Sequence, residues 1–280
     1  MKTALVTDLH ANREAVEAVL AHAQTQEVQA YAFLGDFVGY GADPAWVVDL
    51  VREHASQGAV AVQGNHDLAT VLGANPLMRI EARAVIDWTR AQLDEGQLEF
   101  LRTLPMHDER DNRLFVHANA FAPEQWEYVL NANLALRSML ATSCRYTFCG
   151  HIHEQRLFHA GQTGRAGEFV PKPGLPIKLR NDRQWLVIPG STGQPRDGNP
   201  AAAYAVFDDA DCSITYHRVP YDHALAADKI RAAGLPLRLA ARLLTGHLAA
   251  RQPWRRRNRC SLPVSVRGSS LRNSIARGYL

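Results

Sequence analysis

The chain has 280 residues, of which 46% are hydrophobic, so it can bury the core of one large domain or of two small ones. No segment approaches the ~18 uninterrupted apolar residues that a membrane span requires. The N-terminal segment MKTALVTDLHAN lacks a secretory profile, because an acid and a histidine occur within it. Four cysteines without a CxxC pair are typical of reduced thiols, and we therefore expect a cytoplasmic protein.

Charge is distributed unevenly along the chain. The formal net charge is +3, but residues 251–280 contain eight arginines and no acidic residue, which leaves 23 of the 31 basic residues, against all 28 acidic ones, in residues 1–250. We predict that residues 1–250 form the folded domain and that residues 251–280 form a disordered, Arg-rich tail. Contact of this tail with a nucleic acid or an anionic membrane is the alternative, and its binding would weaken steeply with salt.

Five short apolar segments predict strands, and each ends in a polar cluster. The segments are residues 5–7, 31–34, 59–62, 114–116 and 146–149. Helical patterns follow Asn12 and Asp43-Pro44, and recur in residues 79–104, 123–141 and 224–249. Residues 155–184 are rich in glycine and proline, which predicts strands joined by loops, and late strands are expected at 186–188, 203–207 and 214–219.

The clusters at the five strand ends contain the residues that we expect to carry the chemistry. They are Asp8, His10, Asp36, Asn65, His66, His117, His151 and His153. In open α/β sheets the loops beyond the carboxyl ends of the strands meet at one edge, so these distant residues can form one site. Carboxylate, amide and imidazole ligands suit Mn, Fe, Zn, Ni or Co. The candidates exceed the three protein ligands of a single catalytic metal and indicate a pair of metals.

The sequence motifs DLH, GDFVGYG, GNHD, FVHAN and GHIH, in this order, resemble those of the calcineurin-like metallophosphoesterase superfamily. More narrowly, the chain resembles small bacterial phosphodiesterases of the YfcE-like type, whose late segment is similar to PGSTGQPRDGNP. The resemblance covers about residues 1–248. It implies an α/β fold, a four-layer α-β-β-α sandwich of two mixed sheets flanked by helices.

The resemblance also implies a role for each residue of the set. Asp8, His10, Asp36 and His153 would hold one divalent transition-metal ion, and Asp36, Asn65, His117 and His151 would hold the other. Asp36 would bridge the two ions, and a hydroxide between them would attack phosphorus in line. His66 would bind no metal. It would stabilise the transition state or protonate the leaving oxygen, and only its charged form can donate that proton.

Two departures from the motifs of relatives affect this reading. Many relatives have HGN where this chain has His10-Ala11-Asn12, and alanine fits comfortably there only if its φ is negative. Protein Ser/Thr phosphatases and symmetric dinucleoside tetraphosphate hydrolases have an aspartate and an arginine where this chain has Gly39 and Tyr40. Both activities are therefore disfavoured, and Asp67 cannot be assumed to replace the missing aspartate as the support of His66.

Asn12 and Arg196 are candidates for substrate binding. Asn12 lies two residues beyond a proposed ligand, but a helix cap is the favoured alternative. Arg196 could bind a phosphate group through two hydrogen bonds, with an ion pair to Asp197 or another loop acid as an equal alternative.

The leading hypothesis is a metal-dependent phosphodiesterase of broad specificity that acts on a phosphate-ester small molecule, a nucleotide being one option. A phosphomonoesterase or a nucleotide pyrophosphatase on the same centre is the second hypothesis. A metal-binding scaffold with little turnover ranks last, because no member of the ligand set is missing.

Overall fold

The computed structural model describes residues 1–74, 78–161 and 164–247. The predicted tail, residues 251–280, and the last three residues of the predicted domain lie outside the described residues. No helix within the described ranges is long and apolar enough to cross a membrane.

The strands are β1 Lys2–Val6, β2 Ala30–Phe33, β3 Val60–Ala61, β4 His107–Arg110, β5 Arg113–Val116, β6 Tyr146–Phe148, β7 Gln155–Ala160, β8 Ala166–Phe169, β9 Ile177–Lys178, β10 Gln184–Pro189, β11 Ala202–Asp208 and β12 Ser213–Val219. The helices are α1 Arg13–Thr25, α2 Pro44–Ser56, α3 Asn65–Leu72, α4 Ile80–Ala91, α5 Glu95–Thr103, α6 Ala132–Leu140, α7 His223–Ala232 and α8 Leu237–Thr245.

The strands form two mixed sheets. The first has the order β3-β2-β1-β11-β12-β9, and the second has the order β4-β5-β6-β10-β7-β8. In the first sheet β1, β2 and β3 are parallel, and in the second β5, β6 and β10 are parallel. The strands β11 and β7 join these parallel groups in antiparallel orientation.

Both faces of the central strands are apolar, and this places the sheets between helices. Leu5 of β1 lies in the core between the two sheets with Phe148 and Phe207, whereas its neighbours Ala4 and Val6 lie in the core that α1 and α2 cover. This division follows from the alternation of side chains along a strand. Helix α6 covers the outer face of the second sheet. The predicted four-layer α-β-β-α sandwich is confirmed.

The parallel strands of both sheets end at one edge, where their loops hydrogen-bond to each other. The N–H of Asp8 donates to Gly35 O at 3.0 Å, and the N–H of Gly150 donates to His117 O at 2.8 Å. The N–H of His151 donates to the Asp8 carboxylate at 3.0 Å and so connects the two sheets. The predicted convergence of the strand ends is therefore present.

The secondary structure differs from the sequence prediction in several places: helix α3 was not predicted, the pattern over 224–249 is divided into α7 and α8, and two further differences lie in or beside the second sheet. The helix predicted for residues 123–141 is wrong in its first half, because a 3₁₀ turn, Pro123–Gln125, ends at Trp126 with φ of +54°. Helix α6 starts only after Asn131, whose side chain caps the N–H groups of Asn133 and Leu134. Strand β4 was not predicted, because its sequence HDER is an exposed edge strand without apolar alternation.

Gly150 shows how tightly the two sheets meet. A Cβ atom on Gly150 would lie 2.0 Å from Thr7 Oγ1 and 2.7 Å from Asp8 Oδ2. We expect Gly150→Ala to lower the free energy of unfolding by about 3 kcal/mol and the Tm by roughly 6–12 °C, measured by thermal unfolding. Gly161→Ala is the matched control, because its Cβ would meet no atom within 4 Å. Equal Tm values for the two variants would contradict this packing.

Candidate metal centre

Five of the predicted metal ligands lie on sharply turned backbone. Asp8, His10, Asp36, His151 and His153 have φ values between +47° and +71°. Residues other than glycine rarely adopt this left-handed conformation, which costs about 1–2 kcal/mol per residue. Such strain concentrates at functional sites. Here it turns the side chains from the strand ends into one common space.

Ala11 shares this conformation, with φ of +50°. The negative φ that would suit alanine is therefore not found, and the residue is strained. Its backbone is held on both sides, since Ala11 N–H donates to Phe37 O at 2.8 Å and Ala11 O accepts from Asp43 N–H at 2.9 Å.

The first ligand group combines Asp8, His10, Asp36 and His153. All four side chains are buried, and one ligand atom from each lies within 4.8 Å of the others. His153 Nε2 is 3.2 Å from Asp8 Oδ1 and 3.1 Å from His10 Nε2. His10 Nε2 is 3.8 Å from Asp36 Oδ2. These four atoms surround one position that a metal ion could occupy.

The second ligand group shares Asp36 with the first. It combines Asp36 with His117 and His151, again with ligand atoms within 4.8 Å of one another. His117 Nε2 lies 3.3 Å from Asp36 Oδ2 and 3.1 Å from His151 Nδ1. Asn65 Oδ1 is 3.2 Å from the same His117 nitrogen. The structure thus brings all seven predicted ligands together, in two adjoining groups.

Backbone carbonyls orient each imidazole. His10 Nδ1, His153 Nδ1, His117 Nδ1 and His151 Nε2 lie 2.6–3.1 Å from the carbonyl oxygens of Val38, Gln194, Leu34 and Trp126, in that order. A carbonyl can only accept, so each of these nitrogens carries the proton. In the neutral ring the other nitrogen then presents a lone pair to the ligand groups, as metal-binding histidines do.

The carboxylates are oriented in the same way. One oxygen of Asp8 accepts from Thr7 Oγ1 and from the N–H of His151, and Asp36 Oδ1 accepts from the N–H of His66. The other oxygens, Asp8 Oδ1 and Asp36 Oδ2, are buried and have no hydrogen-bond partner. Buried polar atoms without partners are rare and costly. Here the two oxygens are the atoms that face the ligand groups.

The electrostatics of the ligand groups favour a positive charge beside the Asp36 carboxylate. Burial raises the pKa of Asp36, but the facing histidines, His117 foremost, together lower it by a larger amount. The net pKa of Asp36 therefore lies well below its usual range. Burial lowers the pKa of His117, but the Asp36 carboxylate outweighs burial and raises it to about 9. In the absence of a metal ion, a proton on His117 therefore compensates part of the charge of Asp36.

His66 lies beside the ligand groups and belongs to neither. Its ring stands edge-on to His10 and to Tyr40, with centroid distances of 5.0 and 4.4 Å. A Cβ on Gly39 would lie 2.6 Å from His66 Nδ1, so glycine is required to leave room for the ring. Burial lowers the pKa of His66 to about 4, with Asp36 opposing and Arg196 adding to the decrease. Near pH 7 the ring is neutral.

Asp67 holds the loop of Asp36. Its two carboxylate oxygens accept from the backbone N–H groups of Asp36, Phe37, Val38 and Gly64 at 2.9–3.2 Å. No carboxylate among the described residues hydrogen-bonds to the His66 ring, so Asp67 does not take the place of the supporting aspartate of protein phosphatases.

The two substrate-binding candidates differ in their surroundings. Asn12 caps α1 by accepting from Ala15 N–H at 3.2 Å, and its Nδ2 donates to Gly193 O at 2.8 Å. The cap is confirmed, and a substrate contact of Asn12 stays a prediction. The proposed ion pair of Arg196 with Asp197 is wrong, because Asp197 pairs with Arg218. Arg196 forms no ion pair within the described ranges, and a role in substrate binding stays a prediction for it too.

Two aromatic residues at the centre were not foreseen. The carbonyl of Trp126 orients His151, and Tyr128 stacks on the His151 ring at 4.1 Å between centroids. Neither role has a signal in the sequence, because a backbone carbonyl has no side-chain signature and the pattern of this segment predicts a helix.

The comparisons with known proteins agree with this geometry. The chain matches the calcineurin-like phosphoesterase superfamily domain over residues 1–211. Protein MJ0912 of Methanocaldococcus jannaschii is 35% identical over 250 residues, which cover 87% of this chain and 97% of that protein. The crystal structure of a metallophosphoesterase from Sphaerobacter thermophilus is 35% identical, with a TM-score of 0.79 over 88% of this chain and 99% of that chain. The symmetrical bis(5'-nucleosyl)-tetraphosphatase of a Janthinobacterium species is 34% identical over 121 residues, or 43% of this chain and 41% of that protein.

Fold, ligand groups and sequence relatives together define a metal-binding hydrolase of phosphate esters. The chain belongs to the calcineurin-like phosphoesterase superfamily. The resemblance read from the five motifs is thereby confirmed at the level of the superfamily, while the narrower likeness to YfcE-like phosphodiesterases stays a prediction.

Proposed function

We propose that the protein is a dinuclear metal-dependent phosphodiesterase. One cation would be held by Asp8, His10, Asp36 and His153, and the other by Asp36, Asn65, His117 and His151. The observation that carries this proposal is the position of Asp36, whose buried Oδ2 has no hydrogen-bond partner and whose carboxylate belongs to both ligand groups.

The chemistry of the donor set supports a pair of cations. Two pairs of imidazole nitrogens lie 3.1 Å apart. In the neutral rings of His10 and His153 both Nε2 atoms present lone pairs, whereas in the other pair His117 carries a proton when no metal is bound. One cation would replace the repulsion between His10 and His153 with ligation, and a second would take the place of the proton on His117. The two cations would also satisfy the free oxygens of Asp8 and Asp36. When bound, two divalent cations lower the pKa of a water molecule and screen the charge of phosphate oxygens.

The residues around the ligand groups act on the phosphate ester itself. A neutral His66 donates one hydrogen bond, which strengthens as charge develops on a phosphate or leaving-group oxygen. Its low pKa favours this role over the transfer of a proton. Arg196, which lies over the Tyr40 ring at 5.8 Å, supplies a fork of N–H donors that suits a phosphate group.

The diester preference is tested with two esters of one phenol. After reconstitution with Mn, Ni, Co or Zn in turn, we expect bis(p-nitrophenyl) phosphate to be hydrolysed with a higher kcat/KM than p-nitrophenyl phosphate. A higher value for the monoester would instead favour the second candidate, a phosphomonoesterase or nucleotide pyrophosphatase. The similarity to a tetraphosphatase over 121 residues is the observation that favours a nucleotide substrate.

Removal of the metal is expected to destabilise the fold. A ligand present at about 100 times its Kd stabilises the native state by about 2.7 kcal/mol, which corresponds to roughly 5–10 °C in Tm. Dialysis against a chelator should lower the Tm of the wild type by this amount, and added Mn should restore it. The Asp36→Asn variant is the control, in which the chelator should have little effect. An unchanged Tm of the wild type after complete removal of metal would contradict the proposed ligation.

A further inference from the structure

The helical hairpin α7–α8 packs against the rim of the metal centre, and it lies beyond the part of the chain that matches the superfamily domain, residues 1–211. Leu239 and Leu243 of α8 share an apolar cluster with Val85 of α4, and Tyr40 packs against this cluster. The C-terminal end of α8 is bound to the loop of Arg196, since Gly198 N–H donates to the carbonyl of Gly246 at 2.8 Å. The hairpin therefore adds side chains to the surroundings of His66 and Tyr40.

Arg242 of α8 lies close to Arg196, because the guanidinium of Arg196 lies over the Tyr40 ring at 5.8 Å, and Tyr40 packs against the apolar cluster to which residues of α8 belong. Burial lowers the pKa of Arg242, and the positive charge of Arg196 lowers it further. Arg196 in turn reaches the metal centre, because its backbone N–H donates to the carbonyl of the proposed ligand His153 at 3.2 Å. The two guanidinium groups are thus neighbours at one side of the centre.

The guanidinium groups of these two half-buried arginines are only partly paired. Arg196 Nη2 donates to Gln194 Oε1 at 3.4 Å, and Arg196 also hydrogen-bonds to Tyr128. The Nε atoms of Arg196 and Arg242 are buried without a hydrogen-bond partner, and so is Nε2 of Gln194. Neither arginine forms an ion pair with an acid in residues 1–74, 78–161 or 164–247. The three unsatisfied atoms are all N–H donors, and buried donors without acceptors are costly. An anion at this position would satisfy them and reduce the repulsion between the two cations.

Other basic residues of the hairpin provide a contrast. Arg238, one turn before Arg242 on the same helix, pairs with Glu81 of α4. Lys229 of α7 pairs with Glu14 and Asp43. Acids of neighbouring elements thus pair with these two basic residues of the hairpin, whereas Arg242 has no acidic partner among the described residues.

We propose that Arg242 and Arg196 form an anion subsite that binds a second phosphate group of the substrate, next to the phosphate at the metal centre. The substrate class is then esters that carry two linked phosphates, such as nucleoside diphosphates and their esters. This assignment rests on the proposed function, because it takes the ligand groups as the site of the reacting phosphate. Guanidinium forks and phosphate oxygens match in geometry and charge.

The test compares two ligands that differ by one phosphate. Isothermal titration calorimetry of the Mn-loaded protein with thymidine 5'-monophosphate and thymidine 5'-diphosphate gives the ratio of their Kd values. We expect the wild type to bind the diphosphate at least about tenfold more tightly, the effect of one good charge-assisted hydrogen bond. Arg242→Gln should remove most of this preference, and the control Arg238→Gln should keep it.

The outcomes separate this inference from the proposed function. A ratio that Arg242→Gln leaves unchanged overturns the subsite, even if the protein hydrolyses diesters. A metal-loaded protein that shows the predicted ratios and hydrolyses no ester supports the subsite and contradicts the proposed function. If inorganic phosphate made the protein bind the monophosphate more tightly, the subsite of Arg196 and Arg242 would be a site for a free anion. That result would overturn the assignment of a substrate with two linked phosphates.

A second variant guards against a folding defect of Arg242→Gln. Arg242→Lys keeps the charge and the apolar stem but loses the fork of N–H donors. We expect Arg242→Lys to reduce the preference for the diphosphate at least about threefold, which is half, in free energy, of the tenfold preference expected for the wild type. An unchanged preference in this variant, with the Tm of the wild type, overturns the proposal.

Discussion

Replacement of Asp36 with asparagine is expected to abolish metal binding and hydrolysis together. Asp36 is the one residue whose carboxylate belongs to both ligand groups, and its free Oδ2 lies 3.3 Å from His117 Nε2 and 3.8 Å from His10 Nε2. The amide removes the negative charge and offers at most one oxygen, which the N–H of His66 already uses. We expect the bound metal to fall from two ions per chain to one or none, and the diesterase rate to fall by about 10³-fold or more, equivalent to about 4 kcal/mol in the barrier.

Metal content by elemental analysis and the rate on bis(p-nitrophenyl) phosphate measure this effect. Asp49→Asn is a matched control, because Asp49 is exposed on α2 and pairs with Arg52 on the same helix. The metal-free Asp36→Asn variant should unfold at or below the temperature of the metal-free wild type, because the amide leaves His117 without the carboxylate that it faces at 3.3 Å. Full activity in Asp36→Asn would remove the basis of the ligand assignment.

Replacement of His66 with alanine is expected to separate catalysis from metal binding. The ring of His66 contacts His10 and Tyr40 and belongs to neither ligand group. We therefore expect the metal content to stay at the wild-type value while kcat falls by about 10²–10³-fold, the usual effect of losing one hydrogen-bond donor to a transition state.

Glutamine at this position distinguishes the two roles open to His66. Its amide can donate a hydrogen bond but cannot transfer a proton, so partial recovery in His66→Gln supports donation by the neutral ring. His159→Asn, on β7 and away from the ligand groups, is the control and should retain full activity. Loss of metal in His66→Ala would show that the residue is a ligand and would contradict its assignment.

The ligand set could be predicted because its signal is local and its assembly follows from topology. Each ligand lies within five residues of the end of an apolar strand, and parallel strands bring their carboxyl ends to one edge. The sandwich itself was inferred from resemblance, since the pairing of β1 with β11 joins residues about 200 positions apart. No local pattern specifies such a pairing.

Other features of the centre have no side-chain signature. The carbonyls of Val38, Leu34, Gln194 and Trp126 fix the protonated nitrogens of the imidazoles, and any residue type could provide them. The role of Asp67 as an acceptor for four backbone N–H groups depends on the shape of the Asp36 loop. Arg242 was not a candidate, because only the packing of α8 against the rim places it near Arg196.

The most direct test of the central claim is anomalous diffraction from crystals soaked with Mn. We predict two peaks per chain about 3.5–4 Å apart, one enclosed by Asp8, His10 and His153 and the other by Asn65, His117 and His151, with the Asp36 carboxylate bound to both. A single peak at saturating Mn, or two peaks that do not share Asp36, would contradict the dinuclear centre.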